Sequence, residues 1–250
     1  MMRFDIMTLF PALVDGILAE SIIGRARKSG AIEVAVHNIR DYSADKHRRV
    51  DDTPYGGGMG LLMAAPPIVS CFEAICAMQP DDVRRHVIYL SPRGQVFNHA
   101  MAKRFAAYDN LVLLCGHYEG VDARALDVLA AEEVSIGDFV LTGGELPACI
   151  VTDAVARLCP GVLSDDECYE NESIAGGLLE YPQYTRPAEW EGRSVPPILL
   201  SGHHANIARW RRQMSLIRTR QLRPDMLENA ELTAEDRAFL RSLDEEQSGG

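Results

Sequence analysis

Short apolar runs alternate with stretches of helical periodicity over the first two thirds of the chain. Five runs have the length and apolar content of buried strands: RFDIMTLF (3–10), AIEVAVHNI (31–39), HVIYLS (86–91), NLVLLCG (110–116) and EEVSIGDFVL (132–141). The remaining segments predict helices over residues 13–30, 66–78, 98–107, 121–131 and 145–158. Strands that alternate with helices are typical of an α/β domain.

The pattern changes at SDDECYENESIAGG (164–177), which is acidic, poor in apolar residues and closed by two glycines. Such a composition favours a flexible linker between a first domain (1–163) and a second, helical domain (178–250). In the second domain, apolar residues at helical spacing predict a helix over 201–220, and Thr233 is placed to cap another helix that ends near residue 243. The last six residues, EEQSGG, are expected to be disordered.

Composition limits the class of protein. With 47% hydrophobic and 24% charged residues, the 250-residue chain has the composition of a globular protein. Its N-terminus carries no apolar stretch long enough for a secretory signal or a membrane span, so a cytoplasmic protein without a membrane partner is expected. The six cysteines form no C-x-x-C pair and most lie in apolar runs, which favours reduced thiols over disulfides or zinc ligands.

The formal net charge of −11 argues at first against a nucleic-acid partner. Its distribution changes that picture. Residues 186–223 hold eight arginines and two acids, a local balance of +6, whereas residues 225–250 hold two arginines and eight acids, a balance of −6. The arginines could bind RNA phosphates, or they could form the solvated face of an amphipathic helix. His203 and His204 could contact a substrate or only cap that helix.

Glycine-rich loops follow three of the predicted strands, at residues 89–94, 113–122 and 134–147. In open α/β sheets, ligands bind where strand ends meet loops, and glycine allows a close approach of backbone to ligand. Each loop could also be a plain tight turn, but three together indicate a ligand site. Neither G-x-G-x-x-G nor G-x-x-x-x-G-K-[ST] is present, which disfavours a dehydrogenase or an NTPase and leaves room for an adenosyl group.

A fourth glycine-rich loop, DDTPYGGGMG (51–60), follows a cluster of Arg40, Lys46, His47, Arg48 and Arg49. Successive glycine amides could bind an anion, although the same run also fits a surface loop.

Several long segments resemble one known family. PYGGGMG, YLSPRG, CGHYEGVD, SIGDFVLTGGELP, DAVARLCPGV, GLLEYPQYTRP and VPPILLSGHHANIARWR are similar, in family order, to signature segments of the TrmD family of bacterial tRNA (guanine-N1)-methyltransferases. These segments lie between residues 54 and 211, and the resemblance as a whole extends over roughly residues 3 to 230. These matches are much longer than short motifs, so they are correspondingly more specific.

The resemblance implies a SPOUT-type parallel sheet with a C-terminal trefoil knot, a small helical C-terminal domain, and a homodimer whose active site lies between subunits. It also implies that S-adenosylmethionine binds at the three glycine loops. The residues carried over for the cofactor are Tyr89, Leu90, Ser91, Pro92, Gly116, Tyr118, Glu119, Gly120, Ser135, Ile136, Gly137, Asp138, Phe139, Val140, Leu141, Gly143 and Gly144.

The implied reaction methylates N1 of the guanosine immediately 3′ of the anticodon, at tRNA position 37. N1 must lose a proton before it can attack the methyl group, and charge then spreads to O6, so a carboxylate base and a cation are required. The resemblance assigns these roles to Glu172 and Arg157. Asp is more frequent in the family where Glu172 stands, and His117 and Met59 replace a frequent Arg and Pro.

The family also implies Mg²⁺, for which the sequence offers no visible ligand cluster. The RNA contacts that we expect are Arg186, His203, His204 and Arg209. Two other functions stay open at this point: a related knotted methyltransferase that acts on another RNA or nucleotide position, and an RNA-binding module without activity. The long C-terminal match argues against the first, and the intact glycine loops together with Arg157 argue against the second.

Overall fold

The computed structural model describes residues 1–163, 173, 174 and 176–248. The chain divides into two compact units, Met1–Asp166 and Glu167–Gly250, which we call the sheet unit and the helical unit. The expected linker falls mostly outside the described residues. No described helix is both long enough and apolar enough to cross a membrane.

The sheet unit is built on five parallel strands in the order β2-β1-β6-β5-β7. Their bounds are β1 (Met2–Thr8), β2 (Ile32–Asn38), β5 (Arg85–Val96), β6 (Asn110–Cys115) and β7 (Glu132–Ser135), and a separate antiparallel pair consists of β3 (Asp51–Asp52) and β4 (Leu62–Met63). The helices are α1 (Pro11–Leu18), α2 (Ser21–Ser29), α3 (Ala65–Ala77), α4 (His99–Phe105), α5 (Ala123–Leu129) and α6 (Glu145–Ala156), with a 3₁₀ turn at Ile39–Tyr42. The predicted α/β class is confirmed.

Each face of the sheet carries its own core, because successive side chains of a strand point to opposite faces. Ile88 and Leu90 of β5 pack with residues of α1, α2, α4 and α6 on one face. Val87 and Tyr89, their neighbours in sequence, pack with residues of α3 and α5 on the other. A parallel sheet covered on both faces explains why its strands are continuous apolar runs in the sequence.

The single helix predicted over 13–30 is wrong, since α1 ends at Leu18 and α2 begins at Ser21. Ser21 has a positive φ of 54°. Gly24 then allows α2 to approach the end of α1, because an added Cβ at Gly24 would lie 1.9 Å from the carbonyl oxygen of Ala19. The spacing of apolar residues in the sequence cannot predict such a close backbone contact.

The helical unit begins with a short hairpin of β8 (Glu189–Trp190) and β9 (Arg193–Ser194). The helices that follow are α7 (Pro197–Leu200), α8 (His204–Leu222), α9 (Pro224–Asn229) and α10 (Ala234–Ser248). Thr233 caps α10 as predicted, since its Oγ1 accepts a hydrogen bond from the Asp236 amide. α10 extends to Ser248, and the expected disorder of the last six residues stays a prediction.

The cysteines that the structure describes are free thiols, and Cys71, Cys115, Cys149 and Cys159 are buried. Burial raises the pKa of the Cys71 thiol to about 12 and of the Cys149 and Cys159 thiols to about 11. These groups therefore stay protonated and pack as small apolar side chains.

Candidate functional site

Three neighbouring strands come level near the carboxyl edge of the sheet. Leu90 of β5 pairs with Cys115, the last residue of β6, and with Val134 of β7, which ends one residue later. β5 itself continues to Val96, beyond its predicted end, and its register against β7 shifts between Leu90 and Gln95, so residues 91–94 form an irregular stretch within the strand. This stretch and the loops after β6 and β7 surround a cavity of about 380 Å³. That volume lies within the range of small-molecule sites, roughly 300–1,000 Å³.

The cavity is lined by all but one of the seventeen residues expected to hold the cofactor. The exception is Asp138, which is exposed to solvent and does not line the cavity. Seven further lining residues are not among those carried over from the family: Leu62, Arg93, His117, Val121, Val134, Thr142 and Pro147. All of these except Leu62 lie inside the three glycine-rich loops that the sequence indicated as a ligand site.

Glycines in the loop after β6 let its backbone approach Tyr89 closely. An added Cβ at Gly116 would lie 2.9 Å from the Tyr89 ring. The turn after Gly116 is closed by a hydrogen bond from the Gly120 amide to the His117 carbonyl, and it places Tyr118 at a φ of +59°. Leu61 and Met63 then fix the turn through backbone hydrogen bonds with Glu119 and Gly120.

The third loop turns immediately after β7. The Ser135 hydroxyl accepts a hydrogen bond from the Gly137 amide, and Gly137 has a φ of +144° that favours glycine. The strand predicted over 132–141 therefore stops at Ser135, and the prediction is wrong beyond that residue. The chain returns to the end of β6, where the Gly144 amide donates to the Gly116 carbonyl.

A buried polar group supports the cavity wall from behind. The Glu145 side chain is 3% exposed, and its carboxylate oxygens lie 2.7 and 2.8 Å from Nε2 of His117, which lines the cavity. The Thr8 hydroxyl donates to the same carboxylate at 2.5 Å, and the Phe10 ring lies 4.9 Å from the imidazole. We call Thr8, His117 and Glu145 the buried triad.

Few charged groups line the cavity itself. Arg93 forms an ion pair with Glu133 at 3.1 Å, and Glu119 lies in the loop after β6. Burial raises the pKa of the Tyr89 phenol, so this group is neutral at physiological pH. The wall is therefore mainly backbone amides, carbonyls and apolar side chains, such as Leu90 and Ile136.

The two expected catalytic residues are not brought together by what the structure describes. Arg157 is half-buried at the carboxyl end of α6, where its amide donates to the Asp153 carbonyl. Glu172 lies outside the described residues. Within the described parts of the chain, no group of three or more His, Cys, Asp or Glu side chains could hold a metal ion.

The expected RNA contacts all belong to the helical unit. Arg186, His203 and His204 are exposed. Arg209 is exposed as well, but it forms an ion pair with Glu235 of α10 at 2.5 Å.

Comparison with known proteins agrees with this arrangement. Residues 2–229 match the family model described as "tRNA (Guanine-1)-methyltransferase TrmD". Three proteins named tRNA (guanine-N(1)-)-methyltransferase are similar to the chain. The protein from Geobacter sulfurreducens is 53% identical (98% of this chain, 99% of the relative), that from Lachnospira eligens is 56% identical (91% and 95%), and that from Thermomicrobium roseum is 52% identical (96% and 88%).

The match is not confined to the glycine loops. It covers the sheet unit and most of the helical unit, and the three relatives are each more than half identical to this sequence over nine tenths of it. The chain therefore belongs to the TrmD family of tRNA (guanine-1)-methyltransferases.

Proposed function

We propose that this protein transfers a methyl group from S-adenosylmethionine to N1 of the guanosine at tRNA position 37, immediately 3′ of the anticodon. The main support for the proposal is the cavity at the carboxyl edge of the sheet, which three glycine-rich segments surround. The chain that forms this cavity belongs to a family of tRNA (guanine-1)-methyltransferases. Such a cavity is where open α/β sheets bind small ligands.

The cavity fits the methyl donor in size and chemistry. Its glycines let the cavity loops pack closely on one another, since an added Cβ at Gly143 would lie 2.3 Å from the His117 ring and one at Gly144 would lie 2.7 Å from Cα of Cys115. Backbone groups of the loops at Leu90, Gly116 and Ile136 would hold the adenosine and methionine parts. The donor supplies an electrophilic methyl group on a sulfonium.

The residues of the chain supply the proton transfer and the charge stabilisation. The Glu172 carboxylate accepts the N1 proton as the N1–methyl bond forms and the sulfonium–methyl bond breaks. The Arg157 guanidinium stabilises the negative charge that develops on O6 of the guanine. Both roles rest on the family resemblance. No step is assigned to Mg²⁺, because the described residues offer no ligand cluster for it.

We also propose the trefoil knot in the sheet unit. In its support, the chain leaves β7 at the edge of the sheet and returns to Gly116 at the end of β6. In addition, the backbone at Gly94 lies against that of Glu133 and Val134, so closely that an added Cβ would be 2.3 Å from the Glu133 carbonyl carbon. A crystal structure in which the 136–144 segment passes outside the loops at 91–94 and 116–120 would remove this proposal.

A homodimer with the active site at the subunit interface is part of the same proposal. It is supported by exposed apolar side chains on α1 and α6, two helices that pack on each other: Leu13 and Ile17, and Leu146 and Ile150. Exposed apolar surface of this kind is typical of a protein contact.

The test is transfer of labelled methyl from S-adenosylmethionine to unmodified tRNA, followed by mapping of the modified position. We expect label on guanine N1 at position 37. Glu172→Gln and Arg157→Ala should each lower kcat by roughly 10²-fold or more while circular dichroism stays unchanged. Undiminished rates in both variants would remove the mechanism and leave the reaction standing.

The position of the label also separates the two other functions. Label at another nucleotide would identify a related methyltransferase with different substrate choice. An RNA-binding module without activity would bind tRNA but show no heat of binding with S-adenosylmethionine in calorimetry.

A further inference from the structure

The arginines of the helical unit fall into two electrostatic classes. Four of the eight between residues 186 and 223 form ion pairs with acids that follow them in the chain: Arg209 with Glu235, Arg212 with Asp236, Arg220 with Asp244 and Arg223 with Asp225. The other four are Arg186, Arg193, Arg211 and Arg218, and none of them forms an ion pair with an acid that the structure describes.

The acidic end of the chain therefore neutralises one face of α8. Arg212 shows this most clearly. Its guanidinium forms two hydrogen bonds to Asp236, whose carboxylate is buried and also caps α10. The Arg212 guanidinium holds the pKa of Asp236 at about 2, against the opposing effect of burial, so the pair stays charged at neutral pH. An RNA phosphate placed at this face would meet a carboxylate beside each arginine, and the net attraction would be small.

The opposite face of α8 carries uncompensated positive charge. Arg211 and Arg218 are both exposed, and they lie seven residues apart, which places them on the same side of the helix about 10 Å from each other along its axis. Arg211 is two residues from Arg209, and Arg218 is two residues from Arg220. Two residues correspond to about 200° around a helix, so Arg211 and Arg218 face away from α10, with which Arg209 and Arg220 form ion pairs. The guanidinium of Arg211 lies 4.8 Å from the centre of the Tyr181 ring, which stabilises it by a cation–π contact.

We propose that RNA phosphates bind the face of α8 formed by Arg211 and Arg218, which we call the open arginine face, and not the face paired with α10. This inference rests on the proposed tRNA substrate and specifies where the helical unit contacts it. It also revises the expectation for Arg209, whose charge is compensated by Glu235.

Two double variants that remove the same charge test the proposal. Arg211→Gln with Arg218→Gln acts on the open arginine face, and Arg209→Gln with Arg220→Gln acts on arginines of α8 that are paired with acids of α10. The dissociation constant for unmodified tRNA is measured by filter binding at KCl concentrations from about 50 to about 300 mM. For the first variant we expect weakening of about 10-fold or more, and a fall of about 1.5 in the slope of log K against log salt, because two phosphate contacts are lost. For the second we expect less than about 3-fold weakening.

A charge-conserving variant separates electrostatics from packing. Arg211→Lys with Arg218→Lys should keep the salt slope of the unmodified protein, even if the contact of Arg211 with Tyr181 is weakened. The inference would be overturned by equal or greater weakening of tRNA binding in the paired-face variant, or by an unchanged salt slope in the open-face variant. Methylation of tRNA by the unmodified protein would still support the proposed function in either case. If the unmodified protein neither bound nor methylated tRNA, the proposed function would fail first.

Discussion

At the scale of single residues, the buried triad links the core to the wall of the cavity. Glu145 accepts hydrogen bonds from Thr8 and His117, and it is too deeply buried for water to replace either donor. His117 in turn contacts the Gly143–Gly144 turn, where an added Cβ would meet its ring. The position of the imidazole therefore sets the distance between two of the three cavity loops.

Glu145→Gln should raise KM for S-adenosylmethionine about 10-fold with a smaller effect on kcat. A glutamine keeps the size of the side chain but cannot accept from both Thr8 and His117 without presenting its own NH₂ group to one of them, and an unpaired buried donor costs about 1–3 kcal/mol. Steady-state kinetics at saturating tRNA measures this split.

The matched variant is His117→Arg, which places a donor and a positive charge opposite Glu145. It should keep KM within about 3-fold of the unmodified value, whereas His117→Ala should not. A KM that Glu145→Gln leaves unchanged would show that the triad does not position the loops.

A second buried carboxylate, Asp5 of β1, controls stability instead of binding. It is fully buried and accepts hydrogen bonds from Arg3, His37, Gln79 and Asn110. Burial alone would raise its pKa, but the hydrogen bonds from His37, Arg3 and Asn110 together with the charge of Arg3 outweigh this and lower the pKa to about 2. The carboxylate thus contributes stability that is fully present above its unfolded pKa of about 4 and is lost as the pH falls towards 2.

Asp5→Asn should therefore lower the free energy of unfolding by about 2 kcal/mol or more at pH 7 and by less at pH 3. Urea unfolding at the two pH values measures the difference. Asp15→Asn is the control, since Asp15 is half exposed and its ion pair with Arg27 is superficial. A loss of stability that is the same at both pH values for Asp5→Asn would contradict the assignment.

At the scale of elements, α6 begins against the end of β6 with almost no clearance. Gly144 precedes the helix, and an added Cβ there would lie 2.7 Å from Cα of Cys115 and 3.0 Å from the Gly116 amide nitrogen. Both neighbours are backbone atoms of a central strand and its loop, so they cannot move aside without shifting the cavity wall.

Gly144→Ala should consequently lower the melting temperature by several degrees, corresponding to about 1–3 kcal/mol, and weaken binding of S-adenosylmethionine. Gly192→Asn is the matched control: Gly192 has a positive φ of 74° in the β8–β9 turn, with no atom near an added Cβ. Asparagine tolerates that conformation, so the melting temperature should change little. Calorimetry with and without the donor measures both effects.

The elements also show how far the sequence predicts this structure. The apolar runs located the five sheet strands and the 66–78 and 145–158 helices, because burial on both faces of a parallel sheet leaves a strong local signal. The apolar runs do not indicate where β7 ends or where α1 and α2 separate. β7 ends because the Ser135 hydroxyl accepts a hydrogen bond from the Gly137 amide, and Gly24 allows the Ala19 carbonyl to lie close to α2. Neither feature changes the pattern of apolar residues.

The candidate site was predictable for a similar reason. Parallel strands bring their carboxyl ends to one edge, so three glycine loops after three strands imply a shared cavity. The role of His117 could not be predicted this way, since its partners Thr8 and Glu145 are far from it in sequence. The ion pairs of α8 with α10 were equally hidden: the charge balance of each segment was visible, but not that one segment would fold against the other.

At the scale of the whole molecule, exposed apolar side chains favour the proposed dimer. The exposed apolar side chains of α1 and α6 are each between 43% and 48% exposed, and Phe10, at the start of α1, is 49% exposed. Burying a leucine or isoleucine fully contributes about 1.5–3 kcal/mol, so such residues, repeated by two-fold symmetry, would stabilise a dimer.

Ile150→Asp should convert the dimer to a monomer, because a two-fold interface would place two unpaired carboxylates in an apolar contact. Val128→Asp is the control, as Val128 is 62% exposed on α5, which packs on the other face of the sheet. Sedimentation velocity should show a monomer for the first variant and no change for the second. If the active site spans two subunits, methyl transfer falls with the dimer in Ile150→Asp and recovers as protein concentration rises. Full activity from a stable Ile150→Asp monomer would contradict both the interface and the shared site.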